Sequence, residues 1–514
     1  MPIRPRIRLA VATIGALVAA GCVGPSRRVA TPAAAVAVAQ APVANAPAIQ
    51  QCDLTIAAAD DPPIQRLEVN GPVVSSLPAP QSATISVDLG SALEIAAGQN
   101  PQVAFAQQRI REASAQLRAA DVLWVPSIRA GLNHNKHEGR IQDVEGSVID
   151  VSRGALYSGL GANAVGAGSP AVPGVLMSFH TRDAVFQPRI AERSLAARRE
   201  ASQAVLQDTL TDTAVAYTNL LEAQQYRAVA QETLANLQRL GDLTGSFART
   251  GEGLQSDADR VRAEVLQQQI EVARAEENVQ VASARLAQLL SQDPTSTFLP
   301  QEAAIAPLEF VQFDLPMSEL IATGLSNRPE LAENRFLVAA AVERLRRECC
   351  APLVPSVLLG VSYGAFGGGV GGELEDFGDR LDLDAVAWWE VRNFGFGEQA
   401  ARATAQSQLA QARVQQLRVM DQVASEVAQA SAQVAARKGQ IDLAKQGITA
   451  AGDSYRRNSE RIRNAQGLPI ETLQSVQALN VAQRQYVRAV ADYNRAQFYL
   501  ERALGWPIAS PSGR

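Results

Sequence analysis

The feature that most restricts the fold is an internal duplication. Gly253 to Leu290 returns as Gly467 to Leu504 at a constant offset of 214. The offset pairs Gly253 with Gly467, Leu254 with Leu468, Gln269 with Gln483 and Ala275 with Ala489, and likewise Ala282 with Ala496, Leu286 with Leu500 and Leu290 with Leu504. Each copy opens on Gly-Leu and closes on an apolar pair. Upstream and in the same order, Pro101, Ala104, Ala113, Leu117 and Arg118 meet Pro329, Ala332, Ala341, Leu345 and Arg346 at an offset of 228, and Pro126-Ser127 meets Pro355-Ser356 one residue later. A repeat of this order makes the chain two versions of one unit of about two hundred residues, and it takes precedence over any element-by-element reading.

Length alone would allow about three domains in 514 residues. The duplication argues for two similar halves instead. Aromatic residues are only 5% of the chain, and the apolar content leans on Ala, Val and Leu. That composition does not fill a thick globular core, but it suits long helices packed closely on small side chains. The net charge is -5, and it becomes more negative once a leader with Arg4, Arg6 and Arg8 is removed. With no basic run, the chain is a poor nucleic-acid binder.

Those three arginines precede an apolar run from Leu9 to Ala20, followed by Gly21-Cys22. This is a secretory signal, too short to remain as a membrane-spanning helix. Ala19-Ala20-Gly21-Cys22 resembles a bacterial lipobox, which implies a lipoprotein signal peptide over 1–21, with cleavage before Cys22 and acylation of its thiol. Val23 at the following position implies sorting to the outer membrane. Residues 22–87, rich in Ala and Pro, read as a tether. Cys52, Cys349 and Cys350 are too few for a disulfide framework, and the Cys349-Cys350 pair reads as small apolar filler at a helix end.

Asp88 caps a short helix, and Asn100-Pro101 starts another over about 101–124. After Pro126 the period changes to two. Strands are expected at about 127–135 and 175–187 in the first half, joined by a Gly/Ser/Pro-rich loop, and at about 356–365 and 381–394 in the second. Leu381, Leu383, Ala385 and Ala387 share one face, opposite Asp382 and Asp384. About ten residues per strand is near the length that crosses a bilayer when tilted. Long helices follow over about 189–247, 254–290, 329–350, 398–453 and 470–504. Their apolar positions recur at steps of three and four. The two repeats span 88–300 and 315–505, and 506–514 is a short tail.

From 88 to 505 these features resemble bacterial outer-membrane efflux proteins of the TolC type. The resemblance rests on the Asn-Pro helix start, the Pro-Ser strand start and the junction Asn393-Phe394-Gly395-Phe396-Gly397. It also rests on the turn Gly253-Leu254-Gln255-Ser256-Asp257-Ala258-Asp259-Arg260-Val261-Arg262-Ala263-Glu264. The chain departs from the pattern at Phe186-Gln187-Pro188-Arg189, which lacks the glycines, and at Gly467-Leu468-Pro469-Ile470-Glu471, which lacks the Asp and Arg. The resemblance implies a mainly α fold with a small membrane β part. Three copies would join in a homotrimer, each giving four strands to a 12-stranded outer-membrane β-barrel and its helices to an α-barrel tunnel. It implies a channel in a tripartite efflux or type I-like secretion system, partnered by a periplasmic adaptor (membrane fusion) protein, an inner-membrane pump and outer-membrane lipid. The helix-turn-helix tips would contact the adaptor through Gly251, Gly253, Leu254, Ser256, Gly467 and Leu468. Gate candidates are Asp257, Asp259 and Arg260 on one side, with Tyr455, Arg456, Arg457, Glu460 and Arg461 on the other, linked by charged hydrogen bonds.

Chemistry finds little purchase. His134, His137 and His180 all fall in the first strand pair, without a Cys or carboxylate at confirming spacing, so no metal is assigned. Gly364 to Gly372 lacks the Lys-Ser/Thr of a phosphate cradle. No nucleophile set or carboxylate pair indicates an enzyme, and no cofactor is implied. The competing reading is a lipid-anchored periplasmic coiled-coil scaffold without a pore, which has no need of amphipathic strands.

Overall fold

The computed structural model describes residues 84–129, 131–159, 175–310, 315–370, 376–464 and 466–508. The signal peptide, Cys22, Cys52, most of the tether and the last residues of the tail lie outside the described residues.

The helices are α1 (Leu89–Gln99), α2 (Pro101–Asp121), α3 (Thr181–Thr250), α4 (Gln255–Leu290), α5 (Met317–Asn327), α6 (Pro329–Cys350), α7 (Phe396–Arg463) and α8 (Pro469–Leu504). The strands are β1 (Thr84–Val87), β2 (Ser127–Arg129), β3 (Gly131–Gln142), β4 (Val148–Gly159), β5 (Val175–Phe179), β6 (Thr297–Pro300), β7 (Ser356–Val370) and β8 (Gly378–Trp388). α3 has 70 residues and α7 has 68, each about 100 Å at 1.5 Å per residue. Local chemistry sets the helix ends. Asp88 accepts from the Gly90 amide at 3.2 Å, and Asn100 accepts from the Gln102 amide at 2.8 Å. Gly505 ends α8 at φ 72°, where a Cβ would lie 2.8 Å from the Asn327 carbonyl carbon. Its counterpart in the first half, Ser291, ends α4 at φ 55°.

The sequence repeat is the core. Leu286, Leu290, Leu500 and Leu504, the paired positions of the two copies, are all 0% exposed. They join Tyr217, Leu220, Tyr493 and Phe498 in one cluster that also takes in Phe298 of β6. Ser283 and Gln497, again one repeat apart, each brace the segment that leaves its own half. Ser283 accepts from the Phe298 amide at 2.7 Å, and Gln497 accepts from the Phe310 amide at 3.4 Å.

One buried ionic cluster ties four helices together. Arg502 of α8 donates to Asp208 of α3 at 2.6 Å and to Glu330 of α6. Arg328, at the start of α6, donates to Glu330 at 2.9 Å and to Glu426 of α7. Burial, the largest influence on Glu330, pushes its carboxyl up. The hydrogen bonds and charges of Arg328 and Arg502 outweigh it and hold the carboxyl at about 2.

The sheet is built differently from the expectation. β3 and β4 form a tight hairpin closed at Asp143–Ser147, with the Ser147 amide donating to Asp143 Oδ1 at 2.8 Å and Gly146 at φ 91°. The first connection is therefore short, and the second strand begins at Val148 rather than 175. The period-two signal was hidden because both faces here are polar, with Lys136, Glu138, Arg140 and Asp150 on one and His137 paired with Arg153 on the other. Ser158 pairs with Tyr363 and Val175 with Val361, so β4 and β5 follow each other along β7 with only Ser362 between their partners. β2 and β3 likewise run along β5 and β4. The six pieces thus make four antiparallel lines, in the order β2/β3, β4/β5, β7, β8.

Three further expectations are corrected. The strand expected over 175–187 ends at Phe179, and α3 begins at Thr181, so Pro188 lies two turns inside a helix rather than at its start. Asp183 fixes this early start by accepting from Arg347 of α6 at 2.7 Å, while Ala184, Phe186 and Ile190 are buried at helical spacing. The strand expected over 381–394 ends at Trp388, which pairs with Ser356, the first residue of β7, and Asn393 and Phe394 turn left-handed beyond it. The tether expected through residue 87 ends earlier, since β1 pairs in parallel with β6 from Thr84.

Removing Glu330 would leave two buried guanidinium groups short of a partner, so Glu330→Gln is expected to destabilise the detergent-solubilised protein by about 3 kcal/mol at pH 7. The carboxyl is depressed in the folded state, so its contribution is complete above about 4.5 and fades as the pH falls toward 2. Thermal unfolding midpoints of variant and wild type should therefore converge over that interval. Equal midpoints at pH 7 would refute the role given to this cluster.

Candidate functional site

The two helix-turn-helix tips are built alike. α3 ends at Gly251 with φ 81°, and the Gly253 amide donates to the Phe247 carbonyl at 3.0 Å. A Cβ on Gly253 would sit 3.0 Å from Phe247 Cβ, and one on Gly467 would sit 3.1 Å from Arg461 Cβ. Phe247 and Arg461 are themselves one repeat apart, so both glycines let the returning chain lie against the same turn of its own helix. Leu254 and Leu468 follow with near-identical backbone (φ -82°, ψ 136° and φ -84°, ψ 140°) and are 68% and 61% exposed. Ser256 is also exposed. Gly253, Leu254, Gly467 and Leu468 line one cleft of about 300 Å³ between the tips, together with Phe247 and Ile462. All the expected contact residues except Gly251 and Ser256 thus meet at one place.

The expected gate residues do not meet as expected. Among the described residues, Asp257, Asp259 and Arg260 make no hydrogen bond or ion pair to Tyr455, Arg456, Arg457, Glu460 or Arg461. Asp259 accepts from Gln255 at 3.1 Å on its own helix, and Arg456 pairs with Asp453 at 2.5 Å on its own. Arg461 pairs with Glu471 at 3.1 Å across its own tip. Apolar packing fills the space between the tips instead, with Leu237, Leu240, Val261, Ile462, Leu473 and Val476 buried together. Of the expected gate residues, Tyr455 is the one that bonds across the halves among the described residues, donating to Asn236 Oδ1 at 2.9 Å. Asn236 carries no signal of its own in the sequence, although Leu237, Leu240, Thr244 and Phe247 recur beside it at steps of three and four.

The sheet has two unlike faces. On one, Ile128, Leu156, Leu359, Tyr363, Leu381 and Leu383 are exposed. On the other lie Gly360, Ser362 and Gly364 of β7, paired with Asp384, Asp382 and Arg380 of β8, with Arg380 donating to Asp382 at 2.7 Å. The apolar face runs over nine residues of β7, from Val357 to Ala365, near the number that crosses a bilayer at a tilt. β3 pairs only with β4, and β8 only with β7, so both outer edges are free among the described residues. His134 and His137 stand on opposite faces of β3, and His180 lies beyond the end of β5, so the three do not converge. Cys349 is exposed and Cys350 half-buried at the end of α6.

Residues 92–292 match the family model described as outer membrane efflux protein. The pyoverdine export outer membrane protein OpmQ of Pseudomonas putida is 29% identical over 293 residues, a stretch that covers 55% of this chain and 57% of OpmQ. Among solved structures, the outer-membrane channel OprN matches with a TM-score of 0.65 at 18% identity, over 81% of this chain and 89% of OprN. The outer membrane protein VceC of Vibrio cholerae matches with a TM-score of 0.62 at 16% identity, over 81% of this chain and 96% of VceC. Residues 92–292 are thus similar to the outer membrane efflux protein family, and the duplicated helical hairpins and two-faced sheet share the fold of the OprN and VceC channels.

Proposed function

We propose that the chain is the outer-membrane channel of a tripartite efflux or type I-like secretion system. Three copies close a twelve-stranded barrel, and their helices continue it as a tunnel that receives solute from an adaptor and an inner-membrane pump. The observation that carries this reading is the pair of free edges on β3 and β8 of a sheet whose outward face is apolar. Unpaired backbone groups are not tolerated in hydrocarbon, and four strands are too few to close on themselves. A second copy at each edge meets the requirement. The helices support the same reading, because Leu266, Ile270 and Val281 on α4 and Val414, Leu417 and Leu443 on α7 are exposed apolar residues without a partner surface in one chain.

Acylation at Cys22 would tether each copy to the membrane, and the exposed Leu254 and Leu468 would receive the adaptor's helices. The first cargo to test is a pyoverdine-like siderophore, since that is the export named for OpmQ.

Unheated outer-membrane fractions in mild detergent should run as a trimer and collapse to monomer on boiling; a monomer under both conditions would sink the channel reading. Cys22→Ser should abolish incorporation of labelled palmitate while leaving the trimer intact. Leu254→Asp with Leu468→Asp should reduce export or drug tolerance by about tenfold, the scale of losing an apolar contact worth 1–2 kcal/mol. Trimer yield should stay unchanged, and full activity in that double variant would remove the tips from the adaptor contact.

A further inference from the structure

The charges of the β3–β4 hairpin are sorted by face. On the side shared with Leu156 and Leu381, opposite signs are neighbours, since Lys136 pairs with Glu138 and Arg140 with Asp150 at 3.4 Å. The other side turns inward when the apolar face is turned outward. It carries His137 and Arg153, directly opposite each other in the ladder, a relation that brings the Cβ atoms of two strands to about 5 Å. Among the described residues no acid on that face answers them. Beside the pair, β4 places Val151 and Ala155, and β7 places Phe366, Gly368 and Val370. Farther down the same face, Asp382 of β8 is already taken by Arg380 at 2.7 Å.

Both groups are half-buried, and Arg153 Nε and His137 Nε2 are each shielded from solvent with no hydrogen-bond partner among the described residues. Such nitrogens are rare, because a shielded donor without an acceptor has given up its hydration for nothing. Arg140 and Arg380, in the same sheet, each reach a carboxylate. The backbone leaves room beside the pair. A Cβ on Gly368 would lie 2.6 Å from Arg153 Cβ and 2.7 Å from the Ser152 carbonyl oxygen. Only glycine therefore lets β4 and β7 close here, and it puts no side chain over the guanidinium. Val151 and Ala155 are buried on either side of Arg153, an apolar surround in which a charge-assisted hydrogen bond is stronger than in water. Gly368 stands three residues, about 10 Å, past Ala365, where the apolar band ends. The pair thus sits just beyond the band, toward the hairpin turn, and faces the axis of a closed barrel.

We propose that His137 and Arg153 form an anion site at the far mouth of the channel, where they take a carboxylate group of the exported solute. The guanidinium fork matches the two oxygens of a carboxylate, and an imidazole N–H beside it reaches the same group. A ring of three copies carries three such sites. This rests on the reading of the chain as a trimeric channel.

The test uses the detergent-solubilised full chain and radiolabelled citrate in equilibrium dialysis at low ionic strength, with the same preparation reconstituted in planar bilayers to record current. His137→Asn with Arg153→Gln should weaken citrate binding at least about tenfold, the scale of losing charge-assisted hydrogen bonds. Lys136→Gln, on the opposite face, should leave binding unchanged. The thermal midpoint of the double variant should not fall, since the pair holds no acid among the described residues. Equal binding by wild type and double variant, or an equal loss in Lys136→Gln, would overturn the site. So would a lowered midpoint, which would show a carboxylate of the chain itself seated on the pair. If the double variant does not assemble, Arg153→Gln alone carries the same comparison. Wild-type protein that conducts but binds no citrate would remove the site and leave the channel standing. Protein that binds citrate at the pair but passes no current would sink the channel reading, and the export role of the site with it.

Discussion

A β-strand edge in hydrocarbon has no water to receive its N–H and C=O groups, and the proposed function rests on that single constraint. Among the described residues, the four lines of strand pair with one another and leave the outer edges of β3 and β8 open. On the proposed function, the apolar face over Val357–Ala365 lies against lipid, and the free edges would then pair with copies of the chain. The helices inherit the arrangement. They leave the sheet from β5 and β8, so any ring closed above sets the circle in which α3 and α7 stand below.

Within one chain the two halves are held by unlike means. Where the second half has Arg328, Glu330 and Arg502, the first has Asn100, Gln102 and Gln288. Asn100 caps α2 and donates to the Leu289 carbonyl at 2.9 Å, a neutral joint. The second half replaces it with a buried cluster of charges that also reaches α3 and α7. Duplication copied the leucine core faithfully, and divergence went into the polar joints around it. At the tips the order is reversed, since the polar residues differ from copy to copy and the contact between the halves is mostly apolar.

The parts of the fold legible in the sequence were those with one dominant period. Leu286/Leu500 and Leu290/Leu504 announced the core because burial on one helical face leaves no freedom at those positions. β7 and β8 were legible because one face is apolar and the other is not. β3 and β4 were hidden beyond the apolar band, where both faces carry polar groups and alternation carries no signal. The start of α3 was misread because Pro188 looks like a first-turn residue, and only the distant Arg347 shows why the helix begins at Thr181. Of the candidate site, the glycines and leucines of the tips could be read from the repeat. The pairing of Tyr455 with Asn236 could not, since it joins positions more than two hundred residues apart and neither repeats in the other half.

The register beside Ser362 has one more implication. β4 and β5 are consecutive along β7, with only Ser362 between the partners of Ser158 and Val175 although sixteen residues separate those two in the sequence. Covalent continuity therefore does not align the two pieces, and the alignment falls to β7, which works as a splint across a broken stave. A single slipped pair on β7 would therefore turn the face of every residue after it.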